Sequence, residues 1–405
     1  MHFNYLAIAI PFFLFFIGIE YWYSKKKGKN FFHFSGSISN LNIGIAERLL
    51  DVFTIGIFYY FFDYLYKNFA LFSWKPGIVS WIVLFVATDF VWYWYHRKAH
   101  EVNIFWAVHV VHHQSDDFNY TVSARITVFQ AVVRCLFWSV LPIMGFPAAM
   151  ISSLLLVHGL YPFFIHTRTI GKLGWLEYIL VTPSHHRVHH SSNPEYLDKN
   201  YGDVLIIWDK LFGTFAKEKS EPVFGLTKPL NSYSFLWQHF HFLLEIAVAF
   251  RKARGWRARF KVLFGPPSGI DPGIRENLES RLLSANSGLQ PTAIMKRYIL
   301  WQTAISMVLL FLVCVFEKRM NMVQLWLISV FIIVCLINSG AMLEQRSWIF
   351  YLEYVKLSIF LIAAALYFPD GMIITVLIII FGVLLYFFRP IRDKYMRLMF
   401  ETIGT

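Results

Sequence analysis

Eleven of the fifteen histidines lie between positions 96 and 190, most of them in three groups: His96-Arg-Lys-Ala-His100, His109-Val-Val-His112-His113 and His185-His186-Arg-Val-His189-His190. Neutral imidazole presents a lone pair, so clustered histidines bind Zn, Cu, Fe or Ni without building up negative charge. On a helix, spacings of three and four place side chains on one face, so His96 with His100, and His109 with His112 and His113, can aim at a common point. A lone histidine in an apolar chain is usually a hydrogen-bonded core or interfacial residue, and His2, His33, His239 and His241 are read that way. Three clusters in one stretch are different. Without ligands they would leave many buried polar atoms unsatisfied, at about 1–3 kcal/mol each.

The elements that must position these groups are apolar. With 57% hydrophobic, 19% aromatic and only 15% charged residues, the chain lies far outside the soluble globular norm and reads as an all-α polytopic membrane protein. Runs long enough for about 30 Å of hydrocarbon fall at Phe3–Trp22, Ile43–Leu65, Gly77–Tyr95, Tyr298–Phe316, Met322–Ile337, Ile349–Phe368 and Met372–Phe388. Val128–Ile165 is apolar too, but Pro142, Gly145 and Pro147 at its middle mark a helical hairpin turning near Gly145. The expectation is about eight transmembrane helices under a histidine-rich cap. The first run is expected to be a retained anchor, because its positive charge follows the apolar stretch and no small-residue cleavage site appears.

Lysine and arginine near helix ends set orientation. Lys25, Lys26, Lys27 and Lys29 follow the first run, Arg97 and Lys98 the third, Arg251 to Lys261 form a basic run, and Arg389, Arg392, Lys394 and Arg397 end the chain. Counting spans alternately puts all four groups, the histidine clusters and the C-terminus on the cytoplasmic side. This topology accounts for the net charge of +12 better than nucleic-acid binding does, and no nucleic acid is expected. The run around Trp256 suits a helix on an anionic lipid surface. Cys135, Cys314 and Cys335 sit in apolar helices without paired spacing, and neither a disulfide framework nor metal ligation is expected of them.

The expected organisation is a histidine-bearing membrane domain over residues 1–265, a Gly/Pro-rich polar linker over 266–296, and a C-terminal four-helix transmembrane domain over 297–405, which contains no histidine. No internal repeat is evident.

Asp89-Phe-Val-Trp-Tyr-Trp-Tyr-His96-Arg-Lys-Ala-His100-Glu101, His109-Val-Val-His112-His113 and His186-Arg-Val-His189-His190 resemble the three-box pattern of the fatty acid hydroxylase/sterol desaturase superfamily. Thr182-Pro-Ser-His185-His186, Asp198-Lys-Asn-Tyr201-Gly, Leu205-Ile-Ile-Trp208-Asp-Lys-Leu-Phe212 and Phe224-Gly-Leu-Thr-Lys-Pro are similar to its alkylglycerol monooxygenase branch. The likeness covers roughly residues 40–275. It implies a membrane diiron oxygenase acting on a lipid alkyl chain with O2, with ether-lipid cleavage favoured over sterol or fatty-acyl hydroxylation or desaturation.

Carried over position by position, the resemblance makes His96, His100, His109, His112, His113, His186, His189 and His190 metal ligands, with His166 and His185 as additions. Glu101 matches an acidic position of the family and is expected to ligate or to orient a ligand. The implied cofactor is two irons per chain, reduced by tetrahydrobiopterin or an external electron donor such as a redox protein. Ser191 stands after the third box where the branch usually has Gly. Iron also follows from the chemistry, since zinc has no redox couple, and eight or more imidazoles are about twice what one tetrahedral ion uses.

Asp89, Asp116, Asp117, Glu177, Asp198 and Asp203 are candidate carboxylates for fixing imidazole tautomers. Tyr120 and Arg125 follow the second box in a polar loop, where a structural role is favoured over a grip on a lipid head. Trp208 and Phe212 are expected to pack the cap against the membrane helices.

Two other function classes fit these residues less well. A zinc hydrolase would show His-Glu-x-x-His, but His100-Glu101 runs on into Val-Asn-Ile. A metal transporter would string histidines along a transmembrane path, whereas here they gather at helix ends.

Overall fold

A computed structural model describes residues 6–283 and 290–401. The start of the first apolar run at Phe3 and the linker positions 284–289 lie outside the described residues. The chain is built of helices; the strand content among the described residues is one antiparallel two-residue pair, with Pro291 opposite Phe400.

Six helices are long and apolar enough to cross a membrane: Ala7–Lys26, Ile78–Glu101, Ala148–Ile165, Ala293–Arg319, Met322–Leu343 and Ile349–Tyr367. The pair Gly371–Tyr386 and Phe388–Met399, bent by 71°, makes a seventh if counted as one span. The chain is an integral membrane protein. Two of the runs behind the expectation of about eight are not among these helices. The run expected at Ile43–Leu65 belongs to one 36-residue helix, Phe34–Phe69, about 54 Å long at 1.5 Å per residue. Its N-terminal half buries Ser39, Asn40, Asn42 and Glu47 instead of facing lipid. The first arm of the hairpin, Gln130–Ile143, is only about 21 Å long at that rise.

Two compact units divide the chain. The first, Phe12–Asn231 with Gln238–Leu278, carries every histidine cluster. In it α1 (Leu6–Lys26, from Phe12), α2 (Phe34–Phe69) and α3 (Ile78–Glu101) are followed by α4 (Asn103–His113), which restarts one residue after α3 ends. Then come α5 (Gln130–Trp138), α6 (Ala148–His158), the short α7 (Tyr161–Ile165) and α8 (Pro183–His189), and later α9 (Phe235–Lys252, from Gln238). Leu84, Tyr95, Ala99, Trp138, Leu141, Phe146 and Ile151 form the packed core between α3 and the hairpin.

The second unit, Met1–Pro11, Ser232–Trp237 and Glu279–Thr405, contains α10 (Ala293–Phe316), α11 (Met322–Leu343), α12 (Ile349–Tyr367) and the bent pair. Its helices are joined by a buried polar cluster. Glu353 accepts from Tyr298, Asn338 and Tyr395, and Lys356 donates to Gln302 and Tyr298. In an apolar surround, such interhelical hydrogen bonds hold helices in register.

The hairpin turns where the sequence indicated. Gly145 has φ +93°, and a Cβ there would meet the Phe72 carbonyl oxygen at 2.1 Å. That closeness lets Trp74 N–H donate to the Gly145 carbonyl (3.1 Å) while the Trp74 ring stacks on Phe146 at 5.3 Å and 6°. Gly145→Ala should therefore destabilise the protein by about 1–3 kcal/mol, seen as a lower melting temperature in detergent. Gly56→Ala, in a helix with nothing within 4 Å of the added Cβ, should not lower it.

Candidate metal centre

Nine of the ten histidines expected as ligands converge into two groups. His96, His100, His109, His113 and His189 place one ring nitrogen each within 4.8 Å of all the others, and His112, His166, His186 and His190 do the same. The boxes do not map one to one onto the groups. α4 sends His109 and His113 to one and His112 to the other, and the third box divides likewise, with His189 in the first group and His186 and His190 in the second. The i, i+4 pairs His96/His100, His109/His113 and His186/His190 each stay together, as helix geometry dictates.

The spacing of the nitrogens suits coordination. His96 Nε2 and His109 Nε2 are 3.0 Å apart, His109 and His113 3.2 Å, His112 and His166 3.2 Å, His166 and His186 2.9 Å, and His186 and His190 3.1 Å. Two imidazole nitrogens at about 2.1 Å from one ion, subtending about 90°, lie about 3 Å apart.

The other ring nitrogens show which atom holds the lone pair. A backbone carbonyl only accepts, so the nitrogen facing it carries the proton. His112 Nδ1 donates to the Arg125 carbonyl (3.1 Å) and His166 Nδ1 to that of Pro162. Both Nε2 atoms of that pair are therefore bare, lone pair facing lone pair at 3.2 Å. In the other group His96 Nδ1 donates to Tyr201 O (2.8 Å) and His189 Nδ1 to Lys199 O (2.9 Å). His189 Nε2 and His100 Nε2 are buried with no hydrogen-bond partner.

Protonation does not relieve the crowding. Burial first, and then neighbouring imidazoles, hold His109, His112, His113, His186 and His190 well below the ordinary histidine range. Burial takes His189 to about 4 and His166 to about 3. A buried all-imidazole donor set with converging lone pairs fits metal, and each group can hold one ion.

The backbone carbonyls that orient these rings are themselves held. Asp209, fully buried, accepts from the Tyr201 and Gly202 N–H groups (2.8 Å each) and from Thr214 Oγ1 (2.7 Å). Asn200, at φ 55°, donates to the His185 and Ala216 carbonyls and accepts from Ala216 N–H. Together they fix the 198–202 loop. Arg125 donates to Val111 O, Ser39, Asn40, Gln114 and Gln238, which is the loop-structural role.

Of the candidate carboxylates, Asp198 lies 3.8 Å from His100 Nδ1 and Glu177 accepts from Thr182 and Ser184 at the start of α8. Asp117 pairs with His33. Asp89 accepts from Val204 and Leu205 N–H and from Trp208 Nε1. Trp208 and Phe212 pack on Phe90, Tyr93 and Trp94 of α3.

Two expected site residues lie outside both groups. His185 turns back on its own helix start, its Nδ1 accepting from Thr182 N–H (3.3 Å), with its ring edge-on to Phe215. Glu101 receives Arg97 Nε (2.8 Å) and Lys98 Nζ (2.7 Å).

Sequence reasoning passed over Glu20 and His158. Buried Glu20 accepts from Tyr120 N–H (2.7 Å) and Thr167 Oγ1, fixing the residue after His166. His158 lies between Asp89 Oδ1 (3.1 Å) and Asp203 Oδ2 (3.0 Å), a buried clasp between α6, α3 and the 203–208 segment. The signal available for both was an ionisable residue inside an apolar run.

If the loop carbonyls set ligand geometry, Asp209→Ala should weaken metal binding about 10–100-fold, as read by chelator competition. His185→Ala should cost about 1 kcal/mol through its helix start and leave the metal content unchanged.

Residues 81–214 match the family model for fatty acid hydroxylase. The chain is 35% identical to alkylglycerol monooxygenase of Homo sapiens over 369 residues, 88% of this chain and 82% of that protein. It is 39% identical to alkylglycerol monooxygenase of Xenopus tropicalis over 241 residues, 58% of this chain and 53% of that protein. An ornithine lipid hydroxylase of Rhizobium tropici is 30% identical over 131 residues, 32% of this chain and 40% of that protein. No solved structure matches. With both histidine groups inside the matched stretch, the chain belongs to the alkylglycerol monooxygenase family of fatty acid hydroxylase proteins.

Proposed function

We propose that this protein is a two-iron monooxygenase that hydroxylates the alkyl chain of a membrane lipid, with an alkylglycerol-type ether as the favoured substrate. The observation that carries it is the pair of buried all-histidine groups whose ring nitrogens converge to about 3 Å, with bare nitrogens facing one another at His112 and His166. The ligands proposed are His96, His100, His109, His113 and His189 for one iron and His112, His166, His186 and His190 for the other. When bound, the irons would supply the activation of O2 that attack on an unactivated C–H bond requires.

The balance is RH + O2 + 2e⁻ + 2H⁺ → ROH + H2O, so a reductant is needed. Hydroxylation beside an ether oxygen gives a hemiacetal, which falls apart to an aldehyde and a glycerol. The chain's own residues hold the imidazoles neutral and oriented through the carbonyls of Arg125, Pro162, Lys199 and Tyr201. Glu101 is proposed as a positioning residue that draws Arg97 and Lys98 to itself, beside the His96 and His100 pair. The four basic groups support a cytoplasmic side for the histidines. In this division residues 1–265 carry the reaction and 297–405 supply no ligand.

The purified protein should contain close to two irons per chain, and lipid oxidation should require iron, O2 and a reductant. Chelation should abolish activity and iron readdition restore it. His112→Ala and His109→Ala should each lose metal and at least 100-fold in turnover while still inserting in the membrane; full activity in either would overturn the assignment. Glu101→Gln should keep both irons.

A further inference from the structure

The basic run after α9 supplies nothing to the metal centre, yet it is built in a specific way. Between Glu245 and Asp271 the chain carries six cations, Arg251, Lys252, Arg254, Arg257, Arg259 and Lys261, and no acidic residue. All six are exposed. Gly255, at φ 81°, turns the chain out of α9 into a nine-residue helix, Trp256–Phe264. Trp256, Phe260 and Phe264, at i, i+4 and i+8, form one stripe and are 75%, 56% and 45% exposed. Arg257 and Lys261 run alongside it, one position on. Val262 and Leu263 pack inward, against the buried cluster that includes Ala107 and Val110 of α4. The end of the helix sets its depth. Asn103 donates its backbone N–H to the Gly265 carbonyl and its Nδ2 to the Val262 carbonyl, both at 2.9 Å, and it stands two residues past the end of the span Ile78–Glu101. The stripe and its cations therefore lie where that span leaves the hydrocarbon.

We propose that this helix lies in the membrane interface and binds anionic phospholipid headgroups, and that the binding steadies the turn between α3 and α4. Those two helices supply four members of the five-histidine group, His96, His100, His109 and His113. An aromatic stripe beside a row of cations matches the interface, where rings sit at headgroup level and Arg and Lys meet phosphate. A soluble polyanion would use the cations and leave the stripe in water. Each cation close to an anionic surface strengthens the hold about fivefold, and salt screens it. Asn103 passes the hold on, because it opens α4 and both of its bonds end on the last turn of the interfacial helix. Headgroup charge thereby acts on the relative placement of the first and second histidine clusters, whichever reaction the metal centre performs.

The test uses full-length protein in nanodiscs of phosphatidylcholine, with and without phosphatidylserine, and reads hydrogen–deuterium exchange by mass spectrometry. With phosphatidylserine the amides of 257–264 and of 102–106 should exchange about tenfold more slowly, and high salt should remove the difference. The combined variant Arg254→Gln, Arg257→Gln and Lys261→Gln should exchange alike in both discs, with its melting temperature in phosphatidylcholine unchanged. Asn103→Ala should keep the lipid-dependent protection of 257–264 and lose that of 102–106; the combined variant still decides the lipid site if Asn103→Ala disturbs the fold. Equal exchange of the wild type in both discs, or protection that survives in the combined variant, overturns the lipid site. Protection by heparin in phosphatidylcholine discs, with none from phosphatidylserine, assigns the face to a soluble polyanion and overturns it as well. Wild-type protection of 257–264 without that of 102–106 overturns the link to the histidine-bearing helices.

Discussion

The bare imidazole nitrogens of His112 and His166, facing one another at 3.2 Å inside the protein, are the constraint on which the rest of the unit depends. Two lone pairs at that distance repel, and burial removes the water that would separate them. A proton shared between the rings would relieve the contact in solvent, but here the interior disfavours imidazolium. A cation between them converts the repulsion into two coordinate bonds. Metal affinity and folding are then one quantity, and every element that brings the rings together is held against their repulsion until the ion is present.

That requirement explains why the groups are assembled mainly from ends and turns. Helix spacing alone aligns pairs, but a five-nitrogen or four-nitrogen shell also needs rings from directions a helix cannot offer. His166 supplies one just past the end of α7, and its neighbour Thr167 is pinned by Glu20 of α1. The 198–202 loop supplies none, yet its carbonyls set the rotation of His96 and His189. Left-handed backbone at Asp198 and Asn200 turns those carbonyls inward, and Asp209 ties down the adjacent amides. Carboxylates therefore act one step further out than expected, holding backbone rather than rings.

The sequence displayed what depends on residue type and short-range period. Nine ligand candidates, the hairpin turn at Gly145 and the apolar spans were legible because imidazole spacing, glycine's conformational freedom and hydrocarbon length are local properties. The division of neighbours His112 and His113 between two groups was not legible, because it depends on where α8 and residue 166 lie around α4. His185 illustrates the same limit. It has the residue type and the neighbourhood of a ligand, yet as the third residue of α8 it closes a capping box with Thr182 at the helix start. Glu101 is adjacent to His100, but its nearest partners are the cations one turn back, a pairing that i, i+3 and i, i+4 spacing permits as readily as ligation. The apolar part of α2 was legible as a run, but hydropathy alone did not show that Asn40 and Glu47 toward its start face the interior.

Neutral ligands carry an electrostatic consequence. Nine imidazoles contribute no negative charge, so two divalent ions would retain their full charge in a medium where charge is poorly screened. Compensation has to come from fixed groups nearby, and the buried candidates are Asp89 and Asp203, clasping His158. Both rings of His158 and His96 lie about 6 Å from Trp92, so this acidic clasp sits one side chain from the five-histidine group. With both carboxylates ionised the clasp carries a net negative charge even when the His158 imidazole is protonated. Asp89 also anchors the 203–208 segment, which follows directly on the 198–202 loop whose carbonyls orient the ligands.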